Sequence, residues 1–337
     1  PAWMFYPPVA CYCLWLALKY RSLRTPIFAN PGIFSGGIIG ESKIATLKEL
    51  FERSPQFTAQ AELLAGSTYS ERSMSLEQIR ERLQIFFPFI LKPDVGQRGA
   101  GVKLILSQAQ AEAYLRKTSA PLLVQRYAPG PFEVGIFYYR FPHESCGQIF
   151  AITEKLFPVL VGDGCSTISQ LIWNDPRARF MARKYLARFK DREHQILAVG
   201  EQIKLVEAGN HAEGCIFFDG MHLLTPALAA RIDSISRQLT GFFIGRYDIR
   251  YSSLEDLQRG ENFQILELNG AASEATSIYD AKNSLFAAYR ILFRQWDLVF
   301  AIGAANRSRG MNSTPLRSLW EKWREYSRVS ATYPLTD

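Results

Sequence analysis

What this 337-residue chain has little of narrows its chemistry first. It holds 5 cysteines and 4 histidines. Cys11, Cys13, Cys146, Cys165 and Cys215 are odd in number and irregular in spacing, so they set no disulfide framework. No CxxC occurs, and no Cys/His combination has the spacing of a zinc site. His143, His194, His211 and His222 show no metal-ligand spacing either. Cysteines used in this way suit a reducing, cytoplasmic compartment. The apolar stretch Met4–Leu18 falls short of the ~20 residues that span a bilayer. Pro7 and Pro8 interrupt it, no basic residue precedes it and no small-residue cleavage site closes it. It reads as a buried or partner-facing helix. A helix lying on a membrane surface, with Lys19, Arg21 and Arg24 at its end, is the alternative.

Charge of one sign is not massed, although the net charge is +7. The densest basic stretch, Arg177–Arg192, carries no zinc-finger, RNA-recognition or helix-turn-helix pattern, so it reads as a solvated helix face and nucleic acid is not an expected partner. No internal repeat or low-complexity segment appears. What is present is a chain 47% hydrophobic, long enough for a large core and for two or three domains. Strands and helices mix in an order that predicts an α+β fold with antiparallel sheets, not a doubly wound parallel sheet. Pro8–Tyr20 reads as a helix, Thr25–Ala29 as a short strand, Ser75–Leu83 as a helix and Asn283–Ala304 as a long amphipathic helix.

Two late segments carry the densest chemistry. Gly245–Arg250 and Phe263–Gly270 alternate apolar and polar residues, the period of a strand. Arg246, Asp248 and Arg250 therefore share one face, and Glu267 and Asn269 share another. If the strands pair antiparallel across Ser252–Asn262, Asp248, Glu267 and Asn269 meet. Two carboxylates and an amide oxygen suit a hard cation such as Mg²⁺, and flanking arginines suit phosphate. An ordinary hairpin with a charged wet face is the competing account.

Earlier in the chain, a strand runs into Lys92 and then a loop holding Gly96, Gly99 and Gly101, after which a new strand begins. Glycines let backbone N–H groups turn toward an anion. This is neither a Walker A motif nor a Rossmann fingerprint, since no helix follows the glycines. A third stretch, Gln125-Arg126-Tyr127-Ala128-Pro129-Gly130, leads into Glu133 on the next strand. A nucleotide hinge and a structural hairpin both account for it.

In this order the pieces resemble the ATP-grasp superfamily, and within it the D-alanine–D-alanine ligase-like and cyanophycin-synthetase-like carboxylate–amine ligases. The resemblance covers roughly residues 41–280. It implies two α+β subdomains whose antiparallel sheets clamp ATP, preceded by a short, reduced N-terminal α/β region. The expected divisions are a reduced N-terminal region (1–74), a nucleotide-lid subdomain (75–145), a catalytic subdomain (146–305) and a helical tail (306–337). It implies that Lys43 and Lys92 are nucleotide lysines and that Gly96, Gly99 and Gly101 form a lid over the phosphates. Gln125, Arg126 and Tyr127 resemble the adenine hinge, although Arg126 stands where the family has an acid, and Glu133 resembles the ribose acid. Arg246 corresponds to the arginine that stabilises the acyl-phosphate transition state, Lys155 to a phosphate- or lid-contacting lysine. Asp248, Glu267 and Asn269 match magnesium ligands, with Glu267 bridging two ions and Mn²⁺ a possible substitute. Arg250 faces either the nucleotide or the substrate.

The implied reaction joins a small-molecule carboxylate to an amine, an amino acid or peptide among them, through an acyl phosphate. A kinase acting on a hydroxyl and a non-catalytic nucleotide-binding module at a membrane are the alternatives. Gly162–Thr167 and Asn210–Gly214 resemble substrate loops of the same ligases, with His211 a candidate base, and plain turns explain them equally well. Apolar helices at both ends are compatible with a homodimer.

Overall fold

A computed structural model describes residues 2–96, 99–207, 209–210, 213–330, 333 and 336. In chain order the elements are α1 (Ala2–Phe5), α2 (Pro7–Lys19), α3 (Lys43–Arg53), β1 (Ala61–Leu63), α4 (Tyr69–Leu83), β2 (Phe89–Pro93), β3 (Lys103–Ile105) and α5 (Gln108–Lys117). Then come β4 (Leu122–Arg126), β5 (Phe132–Tyr139), β6 (Gln148–Leu156), β7 (Val159–Val161), α6 (Ile168–Asn174), α7 (Ala182–Arg188), β8 (Gln202–Lys204) and β9 (Ile216–Asp219). The chain closes with α8 (Pro226–Gln238), β10 (Ile244–Tyr251), α9 (Leu254–Arg259), β11 (Phe263–Asn269), α10 (Leu285–Ser308) and α11 (Leu316–Val329).

Helix starts follow capping chemistry. Ser42, Ser107, Thr225 and Ser284 each accept a hydrogen bond from a backbone N–H of the first turn of α3, α5, α8 and α10. Helix α4 begins at Tyr69 rather than at Ser75, because Thr68 and Glu71 close a reciprocal capping box. The stretch Thr25–Phe28 is a 3₁₀ turn and not the expected strand. Pro26 has no N–H for a sheet ladder, and the Thr25 hydroxyl turns back to the Ser22 carbonyl at 3.0 Å.

The fold is α+β with antiparallel sheets. A four-stranded sheet runs in the order β1-β4-β2-β3 and packs its apolar face on α4 and α5, through Leu76, Ile79, Leu91, Tyr114 and Val124. A five-stranded sheet runs β11-β10-β5-β6-β9. One of its faces buries Val134, Ile136, Tyr247, Ile249 and Ile265 against α3 and α8. Period two then dictates that Glu133, Arg246, Asp248 and Arg250 point the other way. Part of that second face packs on α10, where Phe137 and Ile244 meet Leu298, Val299 and Ile302. The rest lines a cavity. The pair β7–β8, with α6 and α7, forms a smaller unit with its own core.

Two points of register matter. Strand β5 pairs with both β6 and β10, so the expected division between residues 145 and 146 falls inside a hairpin of one sheet. The four-stranded sheet touches the five-stranded one through Gln125 and Lys92, which both donate to the Leu266 carbonyl, and the segment leading into β1 does so through Thr58, bridged to Ile265. Helix α2 packs on α10 through Val9, Leu16 and Ala17. Among the described residues no helix is long and apolar enough to cross a membrane.

Candidate functional site

A cavity of about 890 Å³ lies between the two sheets. That is within the range of small-molecule sites. Strands β2 and β4 contribute Ile90, Lys92, Gln125 and Arg126, and the loop after β2 adds Gly96 and Gly99. Strands β5, β6, β10 and β11 contribute Glu133, Lys155, Arg246, Asp248, Arg250, Glu267 and Asn269. Residues far apart in sequence are thus brought to one cavity, and all of these strand residues except Arg126 occupy the cavity-facing parity of their strand.

The two lysines converge by different routes. Asp94, just past β2, accepts from Ser42 Oγ at 3.0 Å and from the Ile44 N–H at 2.8 Å, which ties the start of α3 to the end of β2. Lys43, the first residue of α3, then reaches the Gly96 carbonyl at 2.6 Å and lies 3.6 Å from Glu267. Lys92 is 4% exposed and donates to the Leu266 carbonyl at 3.2 Å. Burial pushes its ammonium down to about 8. Gly101 has φ +74° and is not in the cavity wall; its N–H donates to Thr336 Oγ1.

The five-stranded sheet supplies an ordered charge array. Asp248 is the cross-strand partner of Glu267, and Arg246 that of Asn269. Asp248 Oδ1 accepts from Lys155 Nζ at 3.0 Å and from Arg246 Nε at 3.1 Å. Burial alone would raise the Asp248 carboxyl, but Arg246 and Lys155 outweigh it and hold the group well below the usual carboxylate range. Asn269 Nδ2 lies 3.3 Å from Asp248 Oδ2. Asp248 thus has Glu267 opposite it on β11 and Asn269 beside it. Among the described residues no group of three or more His, Cys, Asp or Glu side chains has metal-holding geometry. The donor set of two carboxylates and one amide is nonetheless of the hard-oxygen kind that suits Mg²⁺, provided Lys155 releases Asp248.

Glu133, expected as the ribose acid, lines the cavity. It is 5% exposed and spent on two cations, Lys155 at 2.7 Å and Arg250 at 3.0 Å. Gly209 covers it so closely that a Cβ there would come 2.3 Å from Glu133 Oε1. The hinge residues are also engaged. Gln125 Nε2 donates to the carbonyls of Ala59 and Leu266, both at 3.1 Å, and the Arg126 guanidinium is turned to the Leu83 and Gln84 carbonyls. Tyr127 lines the cavity with Arg250 over its ring. In the loop Gly162–Thr167, Asp163 accepts from Cys165, Ser166 and the Ser166 hydroxyl, and Thr167 caps α6, so these polar groups satisfy one another outside the cavity. Asn210 lines the cavity, and His211 lies outside the described residues.

Several wall residues had no signal in the sequence reading. Glu41, two positions before Lys43, accepts from the Gly270 N–H at 3.0 Å, and burial pushes its carboxyl up to about 7. Tyr6, Glu274, Thr276 and Tyr279 complete another part of the wall. Tyr6 comes from the junction of α1 and α2, and only its distance in space to Glu274, not its place in the sequence, relates the two.

No protein-family model matches the chain. No curated protein matches it. Among solved structures it is similar to a bifunctional glutathione synthetase from Pasteurella multocida, at 13% identity and TM-score 0.37, covering 75% of this chain and 36% of that one. It is also similar to VanG D-Ala:D-Ser ligase from Enterococcus faecalis, at 9% identity and TM-score 0.42, covering 78% and 61%. A D-alanine–D-alanine ligase from Bacillus anthracis gives 13% identity and TM-score 0.42, covering 86% and 72%. The chain thus spans 36% to 61% of the length of the first structures it matches. At this identity and superposition the site's own geometry has to carry the chemistry.

Proposed function

We propose that the chain is an ATP-dependent carboxylate–amine ligase of the ATP-grasp type, forming an amide or peptide bond and releasing ADP and phosphate. One juxtaposition carries this reading. Lys92, Gly96 and Gly99 face Arg246, Asp248, Glu267 and Asn269 across a single cavity, and Lys43 lies 3.6 Å from Glu267. Ammonium groups and glycine amides suit a polyphosphate, and the guanidinium of Arg246 suits an oxygen of the phosphoryl group being transferred. Bound Mg²⁺ would neutralise charge on the β- and γ-phosphates, with Asp248, Glu267 and Asn269 as its holders.

In the reaction a substrate carboxylate oxygen attacks the γ-phosphorus, and ADP leaves with the bonding electron pair. The amine nitrogen then attacks the carbonyl carbon of the resulting acyl phosphate. The carbon–oxygen bond to phosphate breaks, phosphate leaves with that pair and the new amide nitrogen sheds a proton to solvent. The chain's own side chains bind and orient. Lys43 and Lys92 hold phosphate oxygens, and Arg246 steadies the transferring group. Lys155 and Arg250 pair with Glu133 and hold it in place.

The test is an ADP- and phosphate-release screen against amino-acid pairs, small peptides and polyamines, with products read by mass spectrometry. ADP release that needs both a carboxylate and an amine, with a condensed product of matching mass, supports the reading. Release with a hydroxyl compound alone, phosphate being retained on the product, would replace it with a kinase. No nucleotide binding under any condition would sink it.

A further inference from the structure

Tyr6, Glu274, Thr276 and Tyr279 form a polar group in the cavity wall that the nucleotide reading does not use. Tyr6 donates to Glu274 Oε1 at 2.6 Å, and Tyr279 donates to Oε2 at 2.9 Å. Among the described residues no lysine, arginine or histidine side chain pairs with the Glu274 carboxylate; Arg246 reaches only its backbone carbonyl, at 2.9 Å. Two residues on, Thr276 is 8% exposed and its hydroxyl has no hydrogen-bond partner among the described residues. A buried hydroxyl left unpaired is destabilising unless something supplies the missing bond.

The group is held rigidly. Gln295, buried on α10, donates to the Ser273 carbonyl at 2.6 Å and accepts from the Ala275 N–H at 3.0 Å, fixing the loop on both sides of Glu274. At the other end, Tyr289 OH donates to the Phe5 carbonyl at 2.9 Å, and its ring stacks on Phe5, which anchors the turn that carries Tyr6. The hydrogen bond from Arg246 to the Glu274 carbonyl places the group beside the residue assigned to the transferring phosphoryl group.

We infer that Tyr6, Glu274, Thr276 and Tyr279 are the acceptor subsite of the ligase, and that the acceptor is an amine carrying a second, non-reacting cationic group, as a diamine or a basic amino acid does. This rests on the ligase reading. A carboxylate beside a phosphoryl-transfer site repels an anionic acceptor and matches a cation. The attacking nitrogen must be neutral to react, so a fixed carboxylate with two phenol donors serves a group that stays charged. The Thr276 hydroxyl is the remaining partner for that group's N–H donors.

Calorimetry on the full chain, loaded with Mg²⁺ and a non-hydrolysable ATP analogue, tests this. The probes are 1,4-diaminobutane and L-lysine, against n-butylamine and L-norleucine as singly aminated counterparts. The diamine and lysine are expected to bind at least about tenfold more tightly. Glu274→Gln is expected to erase that preference while nucleotide affinity stays within about twofold of wild type. Tyr6→Phe, which removes one donor and keeps the ring, is expected to reduce the preference in the same direction, and it carries the test if Glu274→Gln fails to fold. Equal binding of the charged and singly aminated probes, or a preference that survives both variants, overturns the inference with the ligase reading intact. Absence of nucleotide binding by the wild-type chain overturns the ligase reading and this inference with it.

Discussion

Glu267 and Lys92 are the two residues whose chemistry is easiest to isolate. Glu267 faces Asp248 across the β10–β11 pair and has Lys43 3.6 Å away. Glu267→Ala is expected to lower ATP turnover by at least about a hundredfold, the scale at which a charge-organising group acts in phosphoryl transfer. The thermal unfolding midpoint should stay close to wild type. Normal ADP release from a folded variant with working substrates would remove Glu267 from the site. Lys92 gives a pH signature. Its folded value of about 8 lies below the ordinary 10.5. Its charged form therefore costs stability below about pH 8, and that cost fades as pH rises toward the unfolded value. Nucleotide phosphate favours the ammonium, so binding should take up a proton above about pH 8, with affinity falling by up to about tenfold per pH unit. Calorimetry in two buffers of different ionisation enthalpy reads this directly; affinity flat from pH 7 to 9 would contradict it.

Elements position these groups through their ends. Asp94 joins the end of β2 to the start of α3 by accepting from Ser42 and Ile44, and so sets where Lys43 stands relative to Lys92. Asp94→Ala should cost about 1 kcal/mol or more, in the range of a lost helix cap, and should also weaken nucleotide binding. Thr68→Ala removes the cap of α4, a helix packed on the far face of the same sheet. It should cost a similar amount in denaturant unfolding while leaving nucleotide affinity alone. If both variants change affinity equally, the link from Asp94 to the lysines is not specific. Neither cap was read from the sequence. The α4 capping box lies in Thr68 and Glu71, three positions apart, yet the expected helix starts at Ser75, and Asp94 caps a helix about fifty residues before it.

Across the whole molecule, the cavity is a seam between two sheets that share few direct bonds, among them those of Lys92 and Gln125 to the Leu266 carbonyl. A ligand filling the seam bridges both sheets, so it should stabilise the chain as one unit. At about one hundred times its dissociation constant, Mg²⁺-nucleotide should add about 2.7 kcal/mol of stability. Scanning calorimetry should show the unfolding temperature rise by several degrees. A nucleotide that binds in calorimetry yet leaves unfolding unchanged would mean that it sits elsewhere than the seam.

The order of helices and strands alone pointed to the α+β class, and a period of two, a local pattern, set the shared face of Arg246, Asp248 and Arg250. The antiparallel pairing of Gly245–Arg250 with Phe263–Asn269 is a supposition there, and the structure shows it. That Lys43, Lys92 and the glycine loop belong with that face was implied by the resemblance to ATP-grasp ligases and not by any local spacing. Only the tertiary structure decided that Glu133 is spent on Lys155 and Arg250, that Gly101 turns from the cavity and that Thr25–Phe28 is a turn. It alone brought Tyr6 to Glu274 across 268 residues. No local period encodes such a contact. It exists because α2 and α10 bury their apolar faces together and carry Tyr6 and the Glu274 loop to the same wall.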